Sequence, residues 1–332
     1  MMETGRMRIL RAMSHIQPEI TPVNIEGIYN LPAFYAYWGV QDKEAVRYKL
    51  DVDVFSARPV YTGPHATKGY DAFGAPVDEI YGADGIGYGF GRAFPLAAAT
   101  SPADVEKFPW PDPEAFSYEV AAGILRKIPA EKARRIDGKY GIAREGLSLE
   151  QAAGGGPWLP LLCNLFNLFG IENTLMNLVS QPQMMETAVR KTEEFTLEFF
   201  TRLCESTKGL AEIAYYGDDF ATQQGMMLSP ELWRRFLKPT YRKVFSLLKS
   251  YGLKVWFHSC GQFRPVLGDL VDIGMDVWET VQAHLPGNEP TVLKREYGRH
   301  ITFYGGISTH WSSLRSKVVV KFPMFMLQAM FC

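Results

Sequence analysis

The chain has 332 residues, 47% of them hydrophobic and 21% charged, with a formal net charge of −1. This is ordinary globular composition, long enough for one large α/β barrel or two smaller domains. A charge this close to zero argues against a nucleic-acid partner and against a polybasic membrane surface. Cys163, Cys204, Cys260 and Cys332 lie far apart with no framework spacing, which points to a reducing, cytoplasmic setting. Met1 to Met13 carries Arg6, Arg8 and Arg11 but no apolar core of a signal peptide. The most apolar run, Pro157 to Gly170, is broken by Pro160, Asn164 and Asn167 and is too short to span a bilayer.

In chain order, Arg6 to Ser14 predicts a short helix within an N-terminal extension, 1–20. Thr21 to Gly27 predicts a first strand whose end carries Glu26. Residues 42–50 predict a helix capped by Asp42. Asp51 to Ala57 alternates as a second strand, with Arg58 following it. Residues 61–117 are rich in Gly, Pro and aromatics and predict a long excursion over one mouth of the fold, with a hairpin around 75–86. The glycines from Gly85 to Gly91 lack the Gly-Lys-Ser/Thr of a phosphate loop and predict a hairpin or loop. Ser101-Pro102 reads as a cap with proline at the first helical position.

Residues 114–135 predict a helix interrupted at Pro129, and Tyr140 to Glu145 a short strand. Helices are expected at Leu161 to Phe169, Ile171 to Val179 and Pro182 to Ser206, the last with a Met and Phe stripe that reads as core packing. Glu212 to Asp219 is a strand ending in two carboxylates, Asp218 and Asp219. Ser229-Pro230 opens a helix that breaks at Pro239 and continues to Ser250. Strands are expected again at Lys254 to Cys260, Met275 to Val281 and Ile301 to Ile307, with helices at Pro265 to Asp272 and Pro290 to Tyr297 between them.

Strands alternating with helices predict a parallel sheet. Polar residues recur at the strands' carboxyl ends: Glu26, Arg58, Asp218 and Asp219, His258 and Cys260, Glu279 and Gln282. That is the layout of a TIM (β/α)8 barrel, whose active site is built from the loops at one face. A doubly wound sheet would want a glycine-rich first turn, which is absent after the first strand.

The focal stretch is Lys254-Val255-Trp256-Phe257-His258-Ser259-Cys260-Gly261. Residues i and i+2 of a strand share a face, so His258 and Cys260 point the same way. Gly261 lets the backbone turn sharply after them. An imidazole beside a thiolate is half of a zinc site. The structural alternative is a buried histidine beside a buried thiol.

From about Asp218 to Ser308 the sequence resembles the uroporphyrinogen decarboxylase superfamily, which includes cobalamin-dependent thiol methyltransferases. The match is carried by Gly217-Asp218-Asp219, Ser229-Pro230-Glu231-Leu232-Trp233 and Lys238-Pro239. It continues through His258-Ser259-Cys260-Gly261-Gln262 with Pro265, Gly274-Met275-Asp276, Val281-Gln282, Leu293-Lys294 and Tyr304-Gly305-Gly306-Ile307. The resemblance implies a single barrel over residues 21–311.

In the methyltransferase branch, the resemblance implies that His258 and Cys260 hold Zn2+, which activates a thiol against a methyl group on a corrinoid. Glu279 or Asp219 could add an oxygen ligand; the family's later cysteine has no recognisable counterpart. His258, Cys260 and Asp219 are then the catalytic set, with Asp218, Arg58, Glu26, Tyr61 and Gln282 as substrate-binding candidates. In the decarboxylase branch, arginines near the first strand bind the carboxylates of uroporphyrinogen without a cofactor. This chain has no arginine between Gln17 and Gln41; Arg58 and Arg92 are the candidate substitutes, with ordinary surface arginines as the stronger reading. For Asp218 and Asp219, substrate binding and helix or loop capping are equally good readings. The third reading is a non-catalytic corrinoid- or tetrapyrrole-binding barrel. The partners implied are a small thiol or tetrapyrrole and a corrinoid protein, and a homo-oligomer is compatible with each reading.

After Ile307 the resemblance stops. Residues 312–332 shift to bare apolar and basic composition, which predicts a truncated or frame-shifted end, an incomplete last strand and helix, and an impaired chain. Val318 to Phe322 has strand propensity and could cover the barrel's exposed side. Cys332 as a further metal ligand is the weaker alternative to a frayed terminus.

Overall fold

The computed structural model describes residues 3–28, 31–64, 66, 70–74, 94–143, 146–153, 157–306 and 325–331. The hairpin expected at 75–86, the 85–91 glycines, Arg92, the 318–322 segment and Cys332 lie outside the described residues. The strands of the main sheet are β1 (Val23–Ile28), β2 (Val54–Ala57), β3 (Ala133–Asp137), β4 (Ile213–Gly217), β5 (Lys254–His258), β6 (Val277–Val281), β7 (Thr302–Gly305) and β8 (Phe325–Phe331). Around the sheet they run β1-β8-β7-β6-β5-β4-β3-β2.

From β2 to β7 every neighbour is parallel, and this run curls into a half-barrel. The eighth position is filled by a strand of the opposite sense. β8 pairs antiparallel with both β7 and β1. The fold is thus an incomplete (β/α)8 barrel, regular over six strands. No helix among the described residues is long and apolar enough to cross a membrane.

The two ends of the sheet meet at Asp53. Its backbone N–H donates to the Val23 carbonyl at 2.9 Å, and its carboxylate accepts from the Val23 N–H at 2.8 Å. The same carboxylate is ion-paired with Arg8 of the first helix, Gly5–Met13. The Asp53 carbonyl accepts from the Ala133 N–H at the start of β3. One buried residue therefore joins β1, β2, β3 and the N-terminal helix.

That helix closes the floor of the barrel. Ile9, Ala12 and Met13 pack on Val54, Ala133, Ile213 and Val277, the first inward residues of four strands. Gly5 lies so close to Asp53 that a β-carbon would stand 2.5 Å from its carboxylate oxygen. The larger apolar core lies outside the ring, between strands and helices, and includes Phe199, Leu203, Trp233, Val244 and Phe257. The Met and Phe stripe of helix Pro182–Ser206 belongs to this core.

Two expectations are corrected. The helix expected over 114–135 ends at Lys127, and Ala133–Asp137 is a strand. Ala and Arg favour helix by propensity, but Pro129 stops the helix, and alternation turns Ala133, Arg135 and Asp137 inward. A helix also forms at Leu31–Trp38, where none was expected. Val60–Tyr61 and Phe116–Ser117, at the two ends of the long excursion, make a small separate sheet with Gly141–Ile142.

Removing one partner of a buried ion pair leaves a charge unpaired, at a cost of about 3–5 kcal/mol. Asp53→Ala is expected to lower the unfolding free energy by about that amount in a urea titration. Asp51→Asn, two residues earlier but 76% exposed in its side chain, is expected to change it by less than about 1 kcal/mol.

Candidate functional site

Parallel register builds the mouth from the strands' carboxyl ends. Asp137 stands beside Tyr215, Tyr215 beside Trp256, Gly217 beside His258, and His258 beside Glu279. Gly217 makes room for the histidine, since a β-carbon there would lie 2.6 Å from the His258 Cβ. Above the apolar floor, the barrel interior is therefore polar and aromatic.

His258 is buried. Its Nδ1 lies 3.2 Å from Glu279 Oε1 and 3.2 Å from the Thr280 hydroxyl. Its Nε2 makes no hydrogen bond and lies 3.7 Å from Asp219 Oδ1. Trp158 meets the ring edge-on at 5.2 Å, and Tyr215 lies 6.2 Å away. Burial pulls the His258 pKa down, but the Glu279 hydrogen bond and the charges of Asp219 and Glu279 outweigh it, and the net shift is upward. Lys139, which sits over the Tyr215 ring at 4.5 Å, opposes that rise.

Cys260 lies just beyond the end of β5, half-buried, with a free thiol. Its N–H donates to Asp219 Oδ1 at 3.1 Å. Burial first, and then the Asp219 charge, push the thiol pKa well up, so without a bound cation Cys260 stays protonated at neutral pH. The turn after it is braced by Gln282, whose Oε1 accepts from the Gly261 N–H at 2.8 Å. Gly261 has φ +91°, and a β-carbon there would meet the Thr222 carbonyl at 2.7 Å.

His258, Cys260 and Asp219 are thus brought to one spot, with Gln282 and Glu279 beside them. Glu279 stands behind the imidazole, on the side away from Asp219. Its other oxygen accepts from the Trp256 indole N–H and lies 3.8 Å from Arg135 Nη1. The orphaned Nε2 and the adjacent thiol are donors that suit a zinc ion. Among the described residues, however, no three His, Cys, Asp or Glu groups are gathered closely enough to hold a metal.

Other candidates are placed elsewhere. Asp218 faces outward from the barrel wall. It accepts from the Leu162 and Cys163 N–H groups, at 2.5 and 3.1 Å, at the start of helix Leu161–Phe169, and from the Tyr241 hydroxyl at 2.7 Å. Of its two readings, the geometry is that of helix capping. Tyr61 packs on Phe116 and Tyr140 in the outer core. Glu26 lies in β1, and its side chain is outside the described residues. Arg58 is not the surface arginine expected: its side chain is 16% exposed and it pairs with the fully buried Asp137 at 2.9 Å.

Sequence reasoning missed Arg135, Asp137, Lys139 and Trp158. Reading β3 as helix hid the first two; the alternation of Ala133, Arg135 and Asp137, ending in a carboxylate, was the available signal. Beside the Cys260 turn an open groove of about 770 Å³ runs between Met226, Met227, Gln262, Arg264 and Pro286.

Residues 152–311 match the family model of uroporphyrinogen decarboxylase (URO-D). Residues 152–311 are thus similar to a URO-D family domain, over just under half of the 332 residues. Among solved structures, a methyltransferase from Methanosarcina mazei is similar, with 17% identity and a TM-score of 0.50 over 83% of this chain and 76% of that one. No curated protein matches the sequence. The URO-D match covers β4 to β7, the strands that carry Asp219, His258 and Glu279.

Two outcomes are expected, one at the turn after Cys260 and one at a control glycine outside the site. Gly261→Ala forces a side chain into left-handed backbone and into the Thr222 carbonyl, and should cost roughly 1–3 kcal/mol in urea. Gly123→Ala, mid-helix and facing open space, should instead stabilise by up to about 1 kcal/mol.

Burial pushes the Asp218 carboxyl up from 3.8 to about 6, against the pull of its hydrogen bonds from Leu162, Tyr241 and Cys163. A pKa raised by folding gives stability that is fully present below 3.8 and is lost as pH rises through about 6. Relative to Asp218→Asn, the native chain should therefore lose on the order of 2–3 kcal/mol between pH 4 and pH 7, read from urea midpoints at the two pH values.

Proposed function

We propose that the mouth formed by His258, Cys260 and Asp219 is the reactive site of a URO-D family enzyme that moves a methyl group from a corrinoid to a thiol with the help of zinc. The observation that carries this reading is the His258 imidazole. A carboxylate backs its Nδ1, and its buried Nε2 has no partner, on the side where Asp219 and the Cys260 loop stand. The methyltransferase that resembles this chain shares its fold, so the weight falls on these side chains.

His258 Nε2 and the Cys260 sulfur would hold the zinc, with substrate in the open positions. Bound there, the ion would lower the pKa of a thiol so that it reacts as thiolate near neutral pH. The chain's own residues do the remaining work. Glu279 fixes the ring so that Nε2 faces the mouth. Asp219 holds the Cys260 backbone in place and, as an anion 3.7 Å from Nε2, favours a cation between them. Trp158 and Tyr215 wall the site and limit water around the imidazole.

Cofactor-free decarboxylation of uroporphyrinogen is the second reading. It is favoured by Arg58, a pinned and largely buried guanidinium at the end of β2, which could meet a substrate carboxylate.

The two are separated by metal content. Purified protein is expected to hold about one zinc per chain, lost in both His258→Ala and Cys260→Ala, with a lower melting temperature after chelation. Metal-free wild-type protein that decarboxylates a porphyrinogen would sink the first reading and support the second.

A further inference from the structure

The reactive site uses only part of the rim. The open groove of about 770 Å³ beside it runs between the loops that follow β4, β5 and β6, on the face where a barrel of this kind gathers its ligands. Its volume falls within the range of about 300–1,000 Å³ typical of small-molecule sites. Met226, Met227, Pro230, Pro265 and Pro286 make most of the wall apolar. The groove shares the Gly261–Gln262 turn with the mouth: Gln262 lines it, and the Gln262 N–H donates to the Thr222 carbonyl at 2.8 Å.

One stretch of this apolar wall is positive. Arg264 lines the groove, and its carboxylate partner, Glu296, also takes Arg295 at 3.1 Å. Two guanidiniums divide one carboxylate, so a positive charge is left over. Arg264 Nη2 donates to Glu296, whereas Arg264 Nη1 and Gln262 Oε1 make no hydrogen bond among the described residues. The arginine is held in place: a β-carbon on Gly287 would stand 3.7 Å from its Nε, and its guanidinium lies 5.2 Å over the Tyr297 ring. Helix Arg264–Asp272 begins at the same spot. Phe263, the residue before it, offers no side-chain oxygen to the first turn, so the helix's positive end adds to the guanidinium's charge. Asp269, further along that helix, is already taken by Arg234 and Lys238.

We propose that this groove is a binding site for a small apolar carboxylate, with its anionic head on Arg264 and its body against Met226 and Met227. A purely apolar occupant would cover the guanidinium and pay its desolvation with nothing in return. A cationic one would meet the surplus positive charge. The proposal stands apart from zinc and from the reading of His258, and its failure leaves both untouched.

Isothermal calorimetry on the full chain tests it, with decanoate as the probe and decyltrimethylammonium as a control of equal chain length. Decanoate is expected to bind in preference to the cation. In Arg264→Met its affinity should fall about 10- to 100-fold, the worth of a hydrogen bond to a charged group, and far less in Arg264→Lys. Glu296→Gln removes the carboxylate that competes for Arg264 and should tighten decanoate about 2- to 5-fold, a gain that a merely structural ion pair would not produce. Gln224, exposed on the groove's rim, accepts from the Thr222 hydroxyl at 3.1 Å. Gln224→Glu keeps that acceptor, adds a negative charge and should weaken decanoate in low salt more than in high salt, which covers the case of Arg264→Met failing to fold.

Equal uptake of decanoate and the cation, or decanoate affinity unchanged in the folded Arg264 and Gln224 variants, overturns the proposal. Self-association seen by sedimentation, abolished by Gln224→Glu and indifferent to decanoate, overturns it in favour of a second copy of the chain as the occupant.

Discussion

The carboxylate of Asp53 is the constraint on which the architecture turns. A parallel ladder that curls must find a way to join its two ends. Here the join is made by one buried residue, which meets Val23 with both backbone and side chain and takes Arg8 as counter-charge. The arginine also fixes the first helix beneath the strands, where Ile9, Ala12 and Met13 fill the floor. Closure of the ring and plugging of its base are therefore one interaction. With the base filled by apolar side chains, the space above is left for charge.

That division explains why the barrel can tolerate so polar a centre. Isolated charges in such a place would cost several kcal/mol each. Arg58, Asp137, Arg135 and Glu279 instead compensate one another in sequence, with tyrosine and tryptophan faces beside the guanidinium. The apolar free energy of folding comes mostly from outside the ring, where the helices lie on the strands.

Much of this was legible in the chain itself. Proline at the first helical position after serine fixed two helix starts, at Pro102 and Pro230, and both are capped as the spacing predicts. Period-two alternation around His258 placed the imidazole and the cysteine at one strand end. What was hidden had physical reasons. Arg135 and Asp137 sit in a five-residue strand of good helix formers, so local propensity pointed one way and the long-range ladder won. Asp218 and Asp219 are adjacent in sequence, and only the strand's pleat decides that one faces the mouth while its neighbour caps a helix outside. The closing strand was beyond reach for another reason: β8 pairs with β1 across nearly the whole chain, and no local pattern announces its direction.

The reversed sense of β8 has a practical consequence. Phe325 pairs with Ile28 at the end of β1, and Phe331 pairs with Phe303 near the start of β7. The polypeptide thus travels down this strand from the reactive face toward the plugged one. A fluorescent label introduced at position 331 would therefore sit beneath the barrel, away from the opening over His258.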